Sequence, residues 1–474
     1  MKTLVHLACG LALAGTQFLG AATEPSPAPH PYLEAHLFLT APQPLALLSD
    51  EGFTAFEPLE QPDENYPTVM IDPRKTFQTI DGFGGAFTDA TADVFAQLPA
   101  AAQEKFLRAC FDPVQGNGYT LCRTTIHSSD YSPAMYTYDD VPGDLALKNF
   151  SIDADRRARL PLIKRARDAA GGHLRLFASP WSPPGWMKTN NDMLHGGKLK
   201  PECRQAWADY FAKYLHAYAA EGVPIWGVTV QNEAMATQVW ESCTFTADEE
   251  KDFVRDYLGP TLRREGLGDV HITIWDHNRG IMYQRAAAAY EDPVASPYIW
   301  GLAFHWYVGE HFDNVRLVHD AFPDKHLIFT EGATGGSWES AERLARHCLM
   351  DLNNWTSAWT IWNLLLDDTG GPRHAGGLSG ATGINADLKT GELTFNPPYY
   401  AFGHFSRFIR PGAKRIACTS NNDDLLATAF LNPDGHIAVV IDHVADHEQI
   451  AQLWVAGRAV KLSLPGRSLL TLVL

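Results

Sequence analysis

Short apolar runs alternate with longer, mixed segments through the middle of the chain. Such runs indicate buried strands when they are rich in β-branched and aromatic residues. They occupy residues 81–87, 120–126, 174–180, 224–230, 271–277, 301–307, 326–331 and 358–364. The segments between them have helical character, most clearly at residues 153–170, 201–221, 247–266 and 339–352. Strands that alternate with helices in this way predict an α/β fold of the (β/α)₈ barrel type.

A doubly wound open sheet is the structural alternative to a barrel. Sheets of that kind that bind dinucleotides carry a glycine-rich, phosphate-binding turn directly after a strand. Residues 81–87 (DGFGGAF) are rich in glycine but lack the required spacing, and the other predicted strands are not followed by such a turn. The barrel is therefore the favoured prediction.

The pattern changes from about residue 404 onward. Residues 424–442 (DLLATAFLNPDGHIAVVID) combine strand, turn and strand, with Asn432 to Gly435 as the turn. This predicts an antiparallel β-domain, which the short apolar pieces near the N-terminus are expected to join. The predicted organisation is a signal peptide at 1–22, N-terminal strands of a β-sandwich at 23–75, the catalytic barrel at 76–403 and the C-terminal β-sandwich domain at 404–474.

The N-terminus has the layout of a secretory signal. Lys2 precedes an apolar stretch that runs from Leu4 to about Leu19, and small residues follow it. The protein is therefore expected to be exported, to an extracellular or periplasmic location. No other segment has the ~18 apolar residues that would span a bilayer, so no membrane span is predicted.

Charge and cysteine content exclude some functions. The formal net charge of −17 disfavours nucleic acid or an anionic membrane surface as the main partner. Of the 7 cysteines, Cys9 would leave with the signal peptide. The wide spacing of the others fits neither a dense disulfide scaffold nor a zinc motif. A bridge between Cys203 and Cys243 is left open.

Chemically active side chains stand at the carboxyl ends of the predicted strands, where barrels of this type carry their active sites. Glu233 ends one apolar run and Glu331 ends another, although acidic residues are poor strand formers. Such local conflicts are typical of functional positions. Two carboxylates of this kind predict acid/base and nucleophile work on a glycosidic bond. Further polar or aromatic strand ends are Asp89, Arg123, Trp181, Asn232, Asp276, His277, His305, Trp306, Tyr307, Trp362 and Asn363.

Other chemistries find less support in the sequence. His305 and His311 invite a metal, but no HExxH or comparable close pair occurs, so no metal and no cofactor are predicted. A serine nucleophile would lack its G-x-S-x-G turn. An inverting hydrolase and a carbohydrate-binding protein without catalysis remain alternatives, because the sequence does not give the distance between the two carboxylates.

At these positions the chain resembles glycoside hydrolase family 30, especially its glucosylceramidase and endo-β-1,6-glucanase branches. The resemblance extends from about residue 65 to residue 420. The matching runs are GFGGAFTDATA, SPWSPPGWMKTN, WGVTVQNEAMATQVWESCTFTADEEKDFVRDYLGPTL, HWYVGEHFDNV, FTEGATGG, WNLLLDDTGGP and YYAFGHFSRFIRPGAKR. The fold that this resemblance implies is a (β/α)₈ barrel with a β-sandwich built from both chain ends, in agreement with the prediction made from the residues.

The resemblance implies a role for each candidate residue. Glu233, in its Asn-Glu pair, is expected to be the acid/base, and Glu331 the nucleophile of a retaining double displacement. Asn232 is expected to hydrogen-bond the sugar 2-hydroxyl, and Tyr307 to orient the nucleophile. The other expected substrate-binding residues are Asp89, Trp181, His305 and Trp362.

The resulting hypothesis is a secreted, retaining β-glycosidase of the glucosylceramidase type that acts on a β-glucoside without a cofactor. The substrate is left open between glucosylceramide and β-1,6-glucan, and an endo-β-1,6-glucanase is the alternative function. One departure bears on this choice, because Arg373 and His374 stand where glucosylceramidases commonly have Asn-Trp. That loop is expected to border the leaving-group side of the site, which leaves room for a glucan substrate.

Overall fold

The computed structural model describes residues 32–375 and 380–474. The predicted signal peptide at 1–22, and residues 23–31 of the predicted N-terminal segment, lie outside the described residues. The first described strands are β1 (Glu34–Ala41), β2 (Ala46–Ala55), β3 (Glu57–Pro58) and β4 (Thr68–Thr79). The helices that the structure describes lack the combination of length and apolar character required to cross a bilayer.

A closed barrel of parallel strands follows. Its strands are β5 (Gly82–Phe87), β6 (Leu121–Ile126), β7 (Arg175–Pro180), β8 (Gly227–Thr229), β9 (His271–Asn278), β10 (Ile299–His305), β11 (His326–Glu331) and β12 (Ala358–Ile361). Each predicted strand overlaps one of these. The (β/α)₈ prediction is therefore confirmed, and the open-sheet alternative is wrong.

Helices connect the barrel strands. They are α1 (Asp89–Gln97), α2 (Ala100–Phe111), α3 (Asp153–Arg156), α4 (Arg159–Ala169), α5 (Arg204–Ala220), α6 (Ala247–Phe253), α7 (Gly259–Arg264), α8 (Met282–Tyr290), α9 (Phe312–Ala321), α10 (Trp338–Asn353) and α11 (Pro397–Ser406). A π-helical segment, Val254–Leu258, joins α6 to α7, and short 3₁₀ turns lie at Gly185–Met187, Pro201–Cys203, Arg279–Ile281 and Ser296–Tyr298.

Two helix starts illustrate how the sequence controls these boundaries. Thr246 caps α6, because its hydroxyl accepts from the Glu249 N–H while the Glu249 carboxylate accepts from the Thr246 N–H. The predicted helix 153–170 is instead two helices, α3 and α4. Pro161 explains the break, since proline is tolerated in the first turn of a helix but not in its interior.

A small sheet after β12 was not predicted. It contains β13 (Leu366–Asp367), β14 (Ile384–Asp387) and β15 (Glu392–Phe395). The remaining strands are β16 (Lys414–Ser420), β17 (Leu425–Leu431), β18 (Ile437–His443), β19 (Gln449–Val455), β20 (Arg458–Leu464) and β21 (Ser468–Val473). The turn predicted at Asn432–Gly435 joins β17 to β18, with the Gly435 N–H donating to the Asn432 carbonyl at 3.0 Å.

Strands from both ends of the described chain form one sheet. Its order is β2-β1-β21-β18-β17-β16-β4-β19-β20-β3, and β1 pairs antiparallel with β21. This sheet encloses an apolar core of its own, which includes Val69, Val439, Leu453 and Leu472. The predicted β-domain built from both chain ends is thus confirmed, while its exact boundaries at 75/76 and 403/404 stay predictions.

Hydrocarbon side chains fill the amino-terminal half of the barrel interior. Trp226 and Trp300 pack against a buried cluster formed by Leu121, Phe177, Ala303, Ile328 and Ala358. The cysteines do not add cross-links, because Cys110, Cys122, Cys203, Cys243, Cys348 and Cys418 are free thiols among the described residues. The bridge left open between Cys203 and Cys243 is therefore not formed.

Candidate active site

A cavity of about 590 Å³ opens at the carboxyl ends of the barrel strands. Most of the predicted site residues line it, namely Trp181, Asn232, Glu233, Tyr307, Glu331 and Trp362. Trp181 and Trp362 stack with their ring centroids 5.2 Å apart and form one wall. Predicted residues at the ends of five different strands thus meet in one place, as the barrel topology requires.

Glu331 is held by two donors at the end of β11. The Arg123 Nη1 donates to its Oε2 at 2.5 Å, and the Tyr307 hydroxyl donates to its Oε1 at 2.8 Å. Burial, and next the charge of Glu331, raise the pKa of the Tyr307 phenol well above its usual range, so the hydroxyl keeps its proton. One donor on each oxygen fixes the carboxylate in a single orientation.

Arg123 links Glu331 to the rest of the site from strand β6. Its Nη2 donates to Asn232 Oδ1 at 2.8 Å and to Asp276 Oδ2 at 2.7 Å. Burial acts against the guanidinium charge, but Asp276 and Glu331 outweigh it and raise the pKa of Arg123. The sequence marked Arg123 as a polar strand end without giving it a function, and its contacts now identify it as the central cation.

Asp276 reaches the barrel interior because strand β9 is irregular at its carboxyl end. The β9–β10 pairing shifts register between Ala303 and Phe304, and both Trp275 and Asp276 have positive φ, 75° and 47°. A bulge of this type re-aims side chains and is common next to active sites. The alternation of a regular strand would not have placed Asp276 beside Arg123.

Hydrogen bonds surround the buried Asp276 carboxylate on both oxygens. The donors other than Arg123 are Thr229 Oγ1 at 2.6 Å, Thr330 Oγ1 at 2.6 Å and His305 Nε2 at 3.0 Å. Burial acts to raise the pKa of Asp276, but Arg123 and then His305 and Thr229 lower it well below its ordinary value. The carboxylate is therefore a permanent anion that positions Arg123 and His305.

Glu233 faces two histidines, one of which, His305, also contacts Asp276. Its Oε1 lies 3.5 Å from His305 Nδ1 and 3.7 Å from His277 Nδ1, and Gln238 Nε2 donates to its Oε2 at 3.3 Å. Burial acts to raise the pKa of Glu233, but His305 reverses the sign and lowers it. Burial also acts against the charge on His305, yet Glu331, Asp276 and Glu233 raise its pKa to about 9.

The pKa shifts of Glu233 and His305 have opposite signs. Before a substrate binds, the charges favour protonated His305 and ionised Glu233. A general acid must carry a proton when the leaving oxygen departs. A protonated His305 would hold a proton close to the Glu233 carboxylate. His305 does not itself line the cavity, because it is fully buried behind Glu233.

The structure does not bring Asp89 into the cavity with the other predicted residues. Its carboxylate accepts from the Ser132 hydroxyl at 2.5 Å and from the Tyr136 hydroxyl at 3.2 Å, and it pairs with Arg159 at 3.5 Å. These contacts support the loop that follows β6. Its expected role in binding sugar hydroxyls is left without a structural basis.

Asp130 lies in the cavity wall on that same loop. Burial, and then the carboxylates of Glu331, Glu241 and Glu233, raise the pKa of Asp130 well above its usual range. Sequence reasoning missed this residue because it lies four positions beyond the end of β6. The polar run His127-Ser128-Ser129-Asp130 directly after a predicted strand was the available signal.

The loop with Arg373 and His374 is fastened to the same side of the cavity. The His374 N–H donates to the Ser132 carbonyl at 2.9 Å, and His374 Nε2 lies 3.2 Å from Glu241 Oε2. The hydrogen bond and charge of Glu241 raise the pKa of His374 above its ordinary value. The departure noted in the sequence is thus an ion pair that ties together the loops after β12 and β8.

Comparison with known proteins identifies the family. The family model described as the glycosyl hydrolase family 30 TIM-barrel domain matches residues 80–409, and that of the family 30 beta sandwich domain matches residues 412–472. The chain belongs to glycoside hydrolase family 30. It is therefore a glycoside hydrolase, which confirms the resemblance seen in the sequence and removes the alternative of a binding protein without catalysis.

Similar members of the family carry two kinds of name. The lysosomal acid glucosylceramidase of Mus musculus is 34% identical over 79% of this chain and 76% of its own length. The endo-1,6-beta-D-glucanase of Neurospora crassa is 33% identical over 80% of this chain and 82% of its own length. Among solved structures, SrfJ from Salmonella typhimurium has 34% identity and a TM-score of 0.89, covering 93% of this chain and 99% of its own.

Proposed function

We propose that this family 30 enzyme is a retaining β-glucosidase whose leaving group is apolar, as in glucosylceramide. Glu331 is the nucleophile, because Arg123 and Tyr307 hold it as an oriented carboxylate at the cavity floor. Glu233 is the acid/base, because it is the second carboxylate that lines the cavity beside Asn232 and it lies next to His305. Two carboxyl groups in different environments match the division of labour in glycoside hydrolysis.

The sugar subsite in this proposal is the part of the cavity near Glu331. Asn232 presents its amide from the position directly before Glu233, and Arg123 fixes the amide by donating to its carbonyl oxygen at 2.8 Å. This leaves the NH₂ group to bond the 2-hydroxyl. The stacked Trp181 and Trp362 cover the sugar face, and Asp130 takes the hydroxyl-binding role that the sequence had suggested for Asp89.

The apolar mouth of the cavity is the observation that carries the proposed leaving group. Met235, Ile281 and Val308 line the cavity and are nevertheless 54%, 37% and 56% exposed. An exposed apolar patch at the rim of a binding site marks a surface that binds an apolar partner. A glucan leaving group would instead require hydroxyl-binding side chains at this rim.

Endo-β-1,6-glucanase action is the second candidate. The 33% identity with the Neurospora crassa enzyme supports it, as does the Arg373–His374 loop, which differs from the common glucosylceramidase pattern.

Export through the N-terminal signal is part of the proposal for either function, and it is tested by sequencing the N-terminus of the protein secreted by a suitable host.

A substrate comparison with rim variants separates the two candidates. Purified enzyme should hydrolyse glucosylceramide with a higher kcat/KM than β-1,6-glucan. Replacing Met235 and Val308 together by Ser should lower kcat/KM on glucosylceramide about tenfold, because about 1.4 kcal/mol of apolar contact is lost. The same variant should act normally on gentiobiose. Val294→Ser is the matched control, because Val294 is 58% exposed but does not line the cavity.

Two further measurements test the mechanism. Proton NMR should detect β-glucose as the first product, and initial α-glucose would contradict retention.

Glu233→Ala should spare aryl glucosides with good leaving groups more than natural substrates, because such groups need little proton assistance. Equal losses on both kinds of substrate would contradict the acid/base assignment.

A further inference from the structure

Three metal-ligand side chains from consecutive barrel strands converge beside the cavity. Glu233 follows β8, His277 lies on β9 and His305 ends β10. One ligand atom from each, Glu233 Oε1 and the two histidine Nδ1 atoms, lie within 4.8 Å of one another. The sequence predicted no metal because it offered no closely spaced pair, whereas the barrel brings distant positions together.

The distances fit a tetrahedral ion. Zinc ligands lie about 2.0–2.1 Å from the metal, so two of them are roughly 3.3–3.4 Å apart at a tetrahedral angle. Glu233 Oε1 is 3.5 Å from His305 Nδ1 and 3.7 Å from His277 Nδ1. Shifts of a few tenths of an ångström would bring these two distances to tetrahedral values, and the two histidine ligand atoms, which lie within 4.8 Å of each other, would have to approach by up to about 1.4 Å.

The histidines are oriented as metal ligands usually are. His305 Nε2 donates to the buried Asp276 carboxylate, an arrangement that typically fixes the ring of a zinc-binding histidine. Its Nδ1 is buried and has no hydrogen-bond partner among the described residues. The Asn278 side-chain amide donates to His277 Nδ1 at 3.2 Å, so this nitrogen carries its lone pair on the side of the cluster, and a bound ion would replace that hydrogen bond.

We infer that Glu233, His277 and His305 bind a divalent transition-metal ion, best matched by Zn²⁺, and that the bound ion inhibits hydrolysis. Two imidazoles and one carboxylate make a set that leaves a fourth position open, and here that position faces the cavity because Glu233 and His277 line it. The inhibitory consequence rests on the proposed function, since a metal-bound Glu233 cannot deliver a proton.

Calorimetric titration of the chelator-treated enzyme with ZnCl₂ tests the binding directly. One Zn²⁺ per chain is expected. His277→Ala and Glu233→Gln should each weaken the affinity at least about tenfold, by loss of one ligand. Mg²⁺ should not bind there, because it prefers oxygen ligands. Anomalous diffraction at the zinc edge should place the ion between these three side chains.

Two matched variants guard against binding elsewhere. His216→Ala removes an exposed histidine of α5, and Cys418→Ser removes a cysteine that is only partly buried. Neither should change the zinc affinity. An anomalous peak at another place, or unchanged affinity in His277→Ala, would overturn the inference. Because titration and diffraction need no turnover, either result is distinguishable from a failure of the enzyme to hydrolyse β-glucosides.

Discussion

The side chains of strand β11 change from apolar to polar and charged towards its carboxyl end. Ile328 packs with Leu121 and Phe177 in the amino-terminal half of the barrel, whereas Thr330 and Glu331, two and three residues later, bond to Asp276 and Arg123. The other strands repeat this change, since β6 proceeds from Leu121 to Arg123. One scaffold therefore presents two layers of opposite chemistry.

The two layers contribute differently to the molecule. The apolar layer, bounded by Trp226 and Trp300, gains free energy from burial and needs no specific partners. The polar layer contains buried ions, whose desolvation is compensated only by exact pairing. We therefore expect changes in the apolar layer to affect stability alone, and changes in the polar layer to affect catalysis first.

The largest effect is expected from Glu331→Gln. This change keeps the shape of the side chain but removes the proposed nucleophile, so kcat should fall by at least about 10⁴-fold. Steady-state kinetics measures the loss, and thermal unfolding should show little change. Glu339→Gln, an exposed position on α10 with 73% side-chain exposure, is the matched control. Residual activity above about one per cent would contradict the assignment.

Asp276→Asn should lower both the stability of the protein and its catalytic rate. It leaves Arg123 and His305 without their shared anion, and removing one partner of a buried ion pair costs about 3–5 kcal/mol of unfolding free energy. Chemical denaturation measures this loss, and kcat should fall with it. Thr330→Val removes only one of the hydrogen bonds to Asp276 and should cost about 1 kcal/mol. Equal costs for the two variants would show that the carboxylate does not organise the layer.

A buried carboxyl group whose pKa is raised, rather than lowered as in Asp276, tests the same argument from the other side. Asp442 lies on β18, where burial and then Glu342 raise its pKa to about 7, against the opposing charge of Arg346. A folded pKa above the unfolded value stabilises the protein at low pH, and this contribution is lost as the pH rises through 7. Asp442→Asn should therefore be more stable than the wild type at pH 8, by about 3 kcal/mol relative to the difference at pH 4.

The test of that prediction is the pH profile of the unfolding free energy. Asp446→Asn, with 92% side-chain exposure, is the matched control and should leave the profile unchanged. A profile of Asp442→Asn that runs parallel to that of the wild type would contradict the compensation argument.

The smallest effect is expected in the apolar layer. Ile328→Val removes one buried methylene and should cost about 1 kcal/mol of unfolding free energy. Because Ile328 packs in the apolar cluster and does not line the cavity, kcat and KM should stay within about twofold. A large drop in kcat with little loss of stability would show that the two layers are not separable.

The apolar layer was also the predictable one. Runs such as residues 174–180 and 326–331 predicted the barrel strands, because strands that are buried on both faces consist of nearly continuous apolar residues. The polar layer was harder to predict from the sequence. Glu233 and Glu331 stood out at strand ends, whereas the function of Asp276 depends on a bulge with positive φ that no residue pattern announces.

Loops limited the prediction of the site in a different way. Asp89 and Asp130 both follow barrel strands, and only the path of the chain decides which one faces the cavity. That path depends on tertiary hydrogen bonds, such as those from Ser132 and Tyr136 that hold Asp89 in place. Strand-end position alone therefore did not distinguish Asp89 from Asp130, and the expected role of Asp89 in binding sugar hydroxyls stays a prediction.

Strand β21 has a consequence for how the protein is made. It lies inside its sheet, between β1 and β18, although β1 precedes it by more than 400 residues. During synthesis, the place of β21 between β1 and β18 therefore stays empty, as an open slot in the sheet, until residues 468–473 leave the ribosome. A chain cut before Ser468 would keep its barrel sequence intact and still expose two unpaired strand edges. A free peptide of this strand could then fill the slot and restore the fold.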